Sequence, residues 1–360
     1  MSNHKNKTEK QLDKTIDFAK QHFAAVLRSR TGSLTELATL LRFKQGTKGY
    51  QRRYDKLISL IKNLKEAFKQ TVLKAMPNIG LRLGIIDDTS VKKSGKKFPK
   101  QQKHKDSSTG NYYDGMKVLS TSVYQDGKIA TISSKIVGKE DNKLDVAQID
   151  IDTLVIDFLV DIILFDSWYC KQPVLEKIKE CNKIFISRLR KNSIVLCNSF
   201  EKRIDKIAAK LQHKQYKKIK IHGKSYWTYD LTLNFKTYGK LRVIISKQGV
   251  NEEPIFICTN SENFIPQFIV KLYLRRFNIE IFFKDAKQYL NFQTFFCRPA
   301  EKWDLHLHLI NILHWVTQKK KSISKTVRNI RENIRACSLF INQNQHLAKF
   351  IDELRKLCPT

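Results

Sequence analysis

The chain of 360 residues is 41% hydrophobic, which is enough to bury a sizeable core and excludes a disordered or fibrous protein. Its 67 Lys and Arg residues against 34 Asp and Glu residues give a formal net charge of +33. A charge of this size favours a polyanionic partner, nucleic acid ahead of an anionic membrane, although an AT-rich genome alone would also enrich surface lysine.

The cysteines and the N-terminal segment favour a cytoplasmic protein. The seven cysteines are odd in number and include no C-x-x-C pair, which argues against a disulfide framework and against a zinc site. The first ten residues are polar and contain no apolar signal segment. The longest apolar run, over 154–165, contains Asp157 and Asp161 and is too short to span a bilayer. We therefore expect a cytoplasmic protein that associates with the nucleoid when it is bound to DNA.

Residues 1–76 are predicted to be helical, because their apolar residues recur at helical spacing. We interpret them as a DNA-binding region. A short helix over 34–41 and a second helix over 50–57 are joined by a glycine-containing turn. The outline suits a helix-turn-helix, whose second helix enters the major groove, and that helix carries Arg52 and Arg53. Ordinary helical hairpins have the same pattern, so DNA reading by these two arginines is a hypothesis.

Apolar strands alternate with helices over residues 77–190, which predicts the first part of an α/β core. The lysine-rich segment 92–105 contains no acid and is predicted to be a mobile, solvated loop that also contacts DNA. The predicted strands are 81–87, 112–124, 128–137, 162–165 and 184–189, and the predicted helices are 144–158 and 173–179.

The remainder of the chain is predicted in three parts. Residues 191–262 contain short strands between glycine turns and are interpreted as a β-rich insertion. Residues 263–298 return to the core with one long helix over 266–290. Residues 299–360 are predicted to be a helical C-terminal region, which could serve dimerisation.

Acidic residues stand where buried strands or the long helix would present them. Asp87 and Asp88 end the first strand, Asp166 follows a later one, and Glu280 lies in the long helix. The carboxyl ends of strands in an α/β sheet are where catalytic groups collect, and clustered carboxylates prefer hard cations such as Mg²⁺ or Mn²⁺. Many α/β proteins carry such acids, so this pattern alone is a weak indication.

The helix around Glu280 carries a more specific pattern. Tyr273, Arg276, Glu280 and Lys287 fall within about 60° of one another at about 100° per residue, so they share one helix face. Cations beside a metal-binding glutamate suit a site that also grips phosphates. An amphipathic helix with ordinary salt links would show the same spacing.

These motifs resemble those of bacterial DDE transposases, in particular insertion-sequence family four. The resemblance covers residues from about 80 to 290 and keeps the order in which the family's motifs occur. It rests on three motifs, namely Asp87-Asp88-Thr89, Asp166-Ser167-Trp168-Tyr169 and the Y-R-E-K signature Tyr273-x2-Arg276-x3-Glu280-x6-Lys287.

The resemblance implies an RNase H-like fold, a mixed five-stranded sheet with flanking helices and a β-rich insertion before the glutamate helix. It implies that Asp87, Asp166 and Glu280 are the catalytic acids and hold Mg²⁺ or Mn²⁺, as two ions. Asp88 is the alternative for the first ligand, because the doublet leaves the choice open. By the same resemblance, the three remaining residues of the signature hold phosphates of the element's end, namely Tyr273, Arg276 and Lys287.

The implied activity is cut-and-paste DNA transposition. Water attacks at the element boundary to free a 3′-hydroxyl, which then attacks the opposite strand or target DNA. The partners would be double-stranded DNA, as terminal inverted repeats and target, and a second copy of the chain assembled on DNA. Trp227 is a candidate for stacking on a base flipped aside during a hairpin step, although it could equally pack a small sheet.

Two other interpretations stay open. A catalytically inactive, transposase-derived DNA-binding protein would share the motifs, and so would an RNase H-like nuclease. The intact Asp87, Asp166 and Glu280 argue against the first. A transposase is favoured over an RNase H-like nuclease because the glutamate is accompanied by Tyr273, Arg276 and Lys287. His306 and His308 are two residues apart on a predicted helix, so they point to different faces and are poor joint metal ligands.

Overall fold

The structure is a computed structural model. It describes residues 2–76, 79–93, 95, 98–106, 109–197, 200–249, 252–295, 297–318, 323–332 and 340–358, with side chains from residue 10 onward except residue 324. The helices are α1 (Ser2–Arg28), α2 (Leu34–Leu40), α3 (Gly46–Ser59), α4 (Ile61–Ala75), α5 (Lys143–Asp152), α6 (Gln172–Glu180), α7 (Ile204–Ala208), α8 (Pro266–Arg275), α9 (Phe277–Tyr289), α10 (Ala300–Thr317), α11 (Ile323–Glu332) and α12 (Gln345–Leu357). The strands are β1 (Leu83–Lys92), β2 (Gln102–Lys105), β3 (Tyr112–Gln125), β4 (Lys128–Val137), β5 (Ile162–Phe165), β6 (Ile184–Leu189), β7 (Ile194–Cys197), β8 (Phe200–Arg203), β9 (Lys217–Ile221), β10 (Lys224–Phe235), β11 (Gly239–Lys247) and β12 (Ile255–Thr259).

The N-terminal part is helical, as its apolar periodicity predicts. Ser33 caps α2, because its Oγ accepts a hydrogen bond from the backbone N–H of Glu36 at 3.2 Å. Helix α3 buries Tyr50 and Tyr54 on one face and starts at Gly46, four residues before the predicted start. Helix α4 packs against α12, so the helical N-terminal part contacts the C-terminal region.

Within the described residues, all 12 strands belong to one mixed sheet, whose continuous path is β2-β3-β1-β5-β6-β12-β11-β10-β7-β8. Strand β4 pairs with β3, and β9 pairs with β10. Strands β1, β5 and β6 run parallel, whereas β3 and β4 are antiparallel to their neighbours. All four residues of β5 are buried, as expected for a parallel strand covered on both faces.

The central strands are covered closely by the segment that follows α5. That helix continues into a π-helical turn, Thr153–Asp157. Leu154 packs on β1 at Gly84, where a Cβ atom would lie 2.7 Å from a methyl group of Leu154. A larger residue would therefore push this cover away from the sheet. Helix α10 covers β4 and is buried from Leu305 to Thr317.

The structure differs from several sequence predictions. Strand β1 runs from Leu83 to Lys92, so Asp87 and Asp88 lie in the middle of the strand and do not end it as predicted. The helix predicted over 266–290 is divided at Arg276, whose backbone N–H bonds to the carbonyl of Tyr273, three residues back instead of four. The strand β2 occupies the end of the predicted lysine-rich loop, because β3 extends far enough to pair with it. The strand β12 of the predicted insertion pairs with β6, so the strands of this region continue the central sheet.

The C-terminal region contains α10, α11 and α12 instead of one helix over 323–357, and residues 333–339 of that prediction lie outside the described residues. Six cysteines are free thiols, and Cys337 lies outside the described residues. The closest described pair is Cys170 and Cys258, whose Sγ atoms are 3.8 Å apart in the core. Among the described helices, none is both long and apolar enough to cross a membrane.

Candidate active site

Two of the predicted acids lie side by side where the parallel pairing of β1 and β5 ends, with Asp87 in the middle of β1 and Asp166 directly after β5. The register of β1 and β5 pairs Ile86 with Phe165, so Asp87 and Asp166 are the next residues on strands about 4.8 Å apart. Asp166 directly follows β5, and its Oδ1 accepts a hydrogen bond from the backbone N–H of Trp168 at 2.8 Å. This bond fixes the orientation of the Asp166 carboxylate beside Asp87.

The third acid, Glu280, is linked to Asp87 by the side chain of Arg276. One Nη atom of Arg276 donates to Oδ2 of Asp87 at 2.7 Å, and the other donates to Oε1 of Glu280 at 2.6 Å. The side chains of Arg276 and Asp87 are 9% and 15% exposed, whereas that of Glu280 is 47% exposed. The first and third acids are thus joined by one guanidinium group at the edge of a buried site.

The Asp87 carboxyl is strongly perturbed. Burial raises its pKa, and although the Arg276 guanidinium lowers it, the charges of Asp166 and Asp88 add to the rise, so that the pKa is about 7. Desolvation and like charge together therefore outweigh one buried cation. Such a carboxylate gains from any further positive charge placed beside it.

The neighbouring Asp88 lies in a different environment. Lys143 and the Tyr169 hydroxyl both donate to its Oδ2, the latter at 2.7 Å, and Lys117 lies 2.9 Å from its Oδ1. Burial acts to raise the pKa of Asp88, but the two lysines outweigh it and the pKa is lowered. Both carboxylate oxygens of Asp88 are therefore engaged by protein donors.

Of the other residues of the signature, Lys287 contacts β1 and Tyr273 packs beside Arg276. The Nζ atom of Lys287 donates to Thr89 Oγ1 at 2.6 Å, and burial lowers the pKa of Lys287, with a further contribution from Lys92. Tyr273 is 4% exposed, and its ring centroid lies 5.9 Å from the guanidinium carbon of Arg276. Arg276 and Lys287 therefore both contact β1, although the single helix from which the shared face was deduced is divided at Arg276.

The acids match a hard divalent cation in chemistry, because carboxylate oxygens are the ligands that Mg²⁺ and Mn²⁺ prefer. Asp87 and Asp166 are adjacent, and the raised pKa of Asp87 indicates that its charge is incompletely compensated. Across the part of the chain that the structure describes, however, no three His, Cys, Asp or Glu side chains form a group that could hold a metal ion. Arg276 lies between Asp87 and Glu280 and engages one carboxylate oxygen of each.

Three predicted DNA-binding residues lie elsewhere. Trp227 is on β10, five strands from β1 and thus roughly 24 Å across the sheet, where its ring contacts His213 and Lys218. Arg52 and Arg53 are exposed on α3 and line a cleft with four other basic residues. These other basic residues are Lys14, Arg42, Lys44 and Lys56.

His306 and His308 are buried residues of α10. The His306 ring stacks on Phe295 with centroids 4.1 Å apart, and the His308 ring contacts Phe68 edge-on. Burial lowers the pKa of His308 to about 4. Both side chains are therefore part of the apolar packing around this helix.

Sequence reasoning missed the residues that surround Asp88. Lys117 lies on β3 and Lys143 begins α5, and nothing in the pattern of a lysine-rich chain distinguishes these two lysines from the others. Tyr169 belongs to the second motif, Asp166-Ser167-Trp168-Tyr169, and this membership was the one indication in the sequence that it lies near the acids. The Nζ atom of Lys143 also lies 3.5 Å from the ring centroid of Trp168, which links the second motif to this cluster.

Comparison with known proteins identifies the family. No curated protein matches the chain significantly. Among solved structures, the chain is similar to the crystal structure of the NurA nuclease from Sulfolobus solfataricus, with 11% identity over 62% of this chain and 85% of that chain; the TM-score of 0.29 is too low to carry an argument. Residues 79–316, about two thirds of the chain, match the family described as Transposase DDE domain. The chain therefore belongs to the Transposase DDE domain family.

Proposed function

We propose that the protein is the transposase of an insertion sequence of family four, and that it cuts and rejoins DNA at the element's ends by a cut-and-paste route. The family supports a transposase. The observation that carries the finer proposal is that Arg276 joins Asp87 to Glu280 beside Asp166. This contact brings residues of all three motifs together next to β1 and β5.

The proposed catalytic acids are Asp87, Asp166 and Glu280. They would hold one or two Mg²⁺ or Mn²⁺ ions, which when bound supply activation of the attacking oxygen and stabilisation of the leaving oxygen. Lys143 and Lys117 already compensate the charge of Asp88, whereas the raised pKa of Asp87 indicates that its charge is incompletely compensated, and this difference supports Asp87 as the first ligand.

The chain's own residues would position the DNA backbone. Lys287 and Arg276 stand on the face of α8 and α9 that is directed at β1, so a phosphate brought to the acids would pass within reach of both cations. Burial of these side chains removes competing water and strengthens such contacts. Tyr273 packs beside Arg276 and would limit the directions in which the guanidinium can turn.

An RNase H-like core is proposed for residues 77–190 and 263–298. The order β4-β3-β1-β5-β6 supports it, because it gives five mixed strands with Asp87 on the central one and Asp166 beside it. Residues 1–76 would bind the inverted repeat through Arg52 and Arg53, and a second copy of the chain would join on the paired ends. Trp227, in the insertion 191–262, remains the candidate for a flipped base.

Two alternatives make different predictions in one experiment. Purified protein is incubated with Mg²⁺ or Mn²⁺ and a duplex that carries the flanking inverted repeat, and wild type is compared with Glu280→Gln. The proposal predicts metal-dependent nicking at the repeat boundary that is lost in the variant, followed by joining of the freed 3′-hydroxyl to target DNA. Binding without cutting by both proteins would favour an inactive DNA-binding relic. Cutting without joining would favour an RNase H-like nuclease.

A further inference from the structure

The position of Arg276 is unusual for a residue expected to hold a DNA phosphate. Both of its Nη atoms are already engaged, one by Asp87 and the other by Glu280, and its Nε atom is buried without a hydrogen-bond partner. A guanidinium group recognises a phosphate through the same donors with which it recognises a carboxylate. Arg276 can therefore bind the acids or a phosphate, but it cannot do both with full hydrogen bonding.

The same exclusion applies from the side of the acids. Oδ2 of Asp87 and Oε1 of Glu280 lie 2.7 and 2.6 Å from the guanidinium nitrogens. A divalent cation bound by these oxygens would lie within a few ångströms of the guanidinium charge, and like charges repel strongly at that separation in a buried site. Cation binding by both acids therefore requires Arg276 to turn away.

We propose that Arg276 is an internal counter-ion that holds Asp87 and Glu280 until a DNA phosphate draws it away, so that DNA binding and divalent-cation binding strengthen each other. The inference rests on the proposed role of these acids as metal ligands. Coupling of this kind is reciprocal, since DNA must favour the cation by the same factor by which the cation favours DNA.

The structure offers a direction for the movement. The Glu280 carboxylate is half-exposed whereas Asp87 is almost buried, so the outer half of the bridge is the part that DNA can reach. Arg276 stands at the junction of α8 and α9, where the regular helical hydrogen bond is replaced by a tighter one to Tyr273. Lys287 lies on the same face and would receive the neighbouring part of the backbone.

The test measures Mn²⁺ affinity by electron paramagnetic resonance, with and without a saturating duplex that ends at the element boundary and so cannot be cut. In wild type, the duplex is expected to tighten Mn²⁺ binding about 5- to 150-fold, the usual range of such coupling. Arg276→Gln is expected to bind Mn²⁺ more tightly than wild type without DNA, and to lose most of the DNA effect.

Arg275→Gln is the matched control, because it removes the same charge one residue away, from a side chain that lies over the Tyr124 ring instead of the acids. It should keep the wild-type coupling. Arg276→Lys is the second variant, in case the glutamine variant is unstable: a single ammonium cannot bridge both carboxylates, so intermediate coupling is expected.

Two failures are distinguishable. If Glu280→Gln weakens Mn²⁺ binding in the presence of DNA but neither Arg276 variant strengthens it in the absence of DNA, the counter-ion proposal is overturned and the metal-ligand role stands. If Glu280→Gln leaves Mn²⁺ affinity unchanged under both conditions, the proposed role of the acids fails, and the counter-ion proposal fails with it.

Discussion

Replacing Asp87 by Asn, and separately Asp88 by Asn, removes the same charge from two consecutive residues of β1 whose surroundings differ. Asp87 faces Arg276 and Asp166, and burial raises its pKa to about 7. Asp88 faces two lysines that lower its pKa. The two variants should therefore separate catalysis from stability.

The Asp88→Asn variant is expected to be destabilised. Asp88 is 12% exposed, and its carboxylate is the partner of Lys143 and Lys117, which are 13% and 29% exposed. Removing one partner of a buried ion pair costs about 3–5 kcal/mol. Because Lys117 is partly exposed, we expect Asp88→Asn to lower the free energy of unfolding by about 3 kcal/mol at pH 7. Because the pKa of Asp88 is lowered in the folded state, this contribution is present above the unfolded pKa and disappears as the pH falls.

The Asp87→Asn variant is expected to behave in the opposite way. A carboxyl whose pKa is raised on folding keeps its proton at pH values where the unfolded chain has lost it, so the contribution of Asp87 to stability falls as the pH rises from about 4 to about 7. The difference between a pKa of about 7 and about 3.9 corresponds to at most about 4 kcal/mol. The neutral amide removes this penalty, and the variant should equal wild type at pH 4 and exceed it at pH 8.

Urea unfolding followed by circular dichroism at pH 4, 6 and 8 gives the stabilities, and the nicking assay gives the activity. We expect Asp87→Asn to be folded and unable to cut, and Asp88→Asn to be less stable while the folded fraction still cuts. A stable Asp88→Asn that cannot cut, together with an active Asp87→Asn, would refute the reasoning and exchange the two assignments.

Three other predictions address regions outside this site. Replacing Arg52 and Arg53 by Ala should weaken binding of the inverted-repeat duplex and lower the slope of log affinity against log salt by about 0.9 for each phosphate that the variant no longer neutralises, which fluorescence anisotropy measures; an unchanged affinity would argue against DNA binding by α3. Trp227→Ala should block hairpin formation on gels while nicking persists, and normal hairpin yield would end the base-stacking idea. Burial acts to raise the pKa of Glu36, but hydrogen bonds from residues 29–31 outweigh burial and lower the pKa to about 2. In thermal melts, the difference in stability between wild type and Glu36→Gln should therefore shrink as the pH falls through 4. A difference that is constant with pH would contradict this.

Strands could be predicted from the sequence where they are short apolar runs with clear ends. The end of β1 could not, because its polar second half, Asp88–Lys92, is a strand only through its pairing with β3. The bounds predicted for β4, β5 and β6 are the observed ones, and Asp166 follows β5 as expected. The pairing of strands could not be predicted in the same way. Strand β12 pairs with β6 although 65 residues separate them, and no local pattern specifies such a pairing.

The choice between Asp87 and Asp88 shows a second limit. Consecutive strand residues point to opposite faces, so a doublet must place one carboxylate on each side of β1. The alternation does not specify which face meets α9 and which meets Lys143, since that depends on how two distant helices pack. Only the contacts of the folded chain distinguish the two acids.

The charges of this protein serve two purposes that the net value of +33 hides. Around Asp87 and Asp88, three cations from separate elements each compensate a buried acid, namely Lys117, Lys143 and Arg276. Because these ion pairs are desolvated, added salt should change them little, and their removal should appear as a change in stability or in cation affinity. The exposed cations of α3, Arg52 and Arg53 among them, are free to meet phosphates, and their removal should appear in the salt dependence of DNA binding. A variant that removes one positive charge can therefore be assigned to either group by the salt dependence of its defect alone.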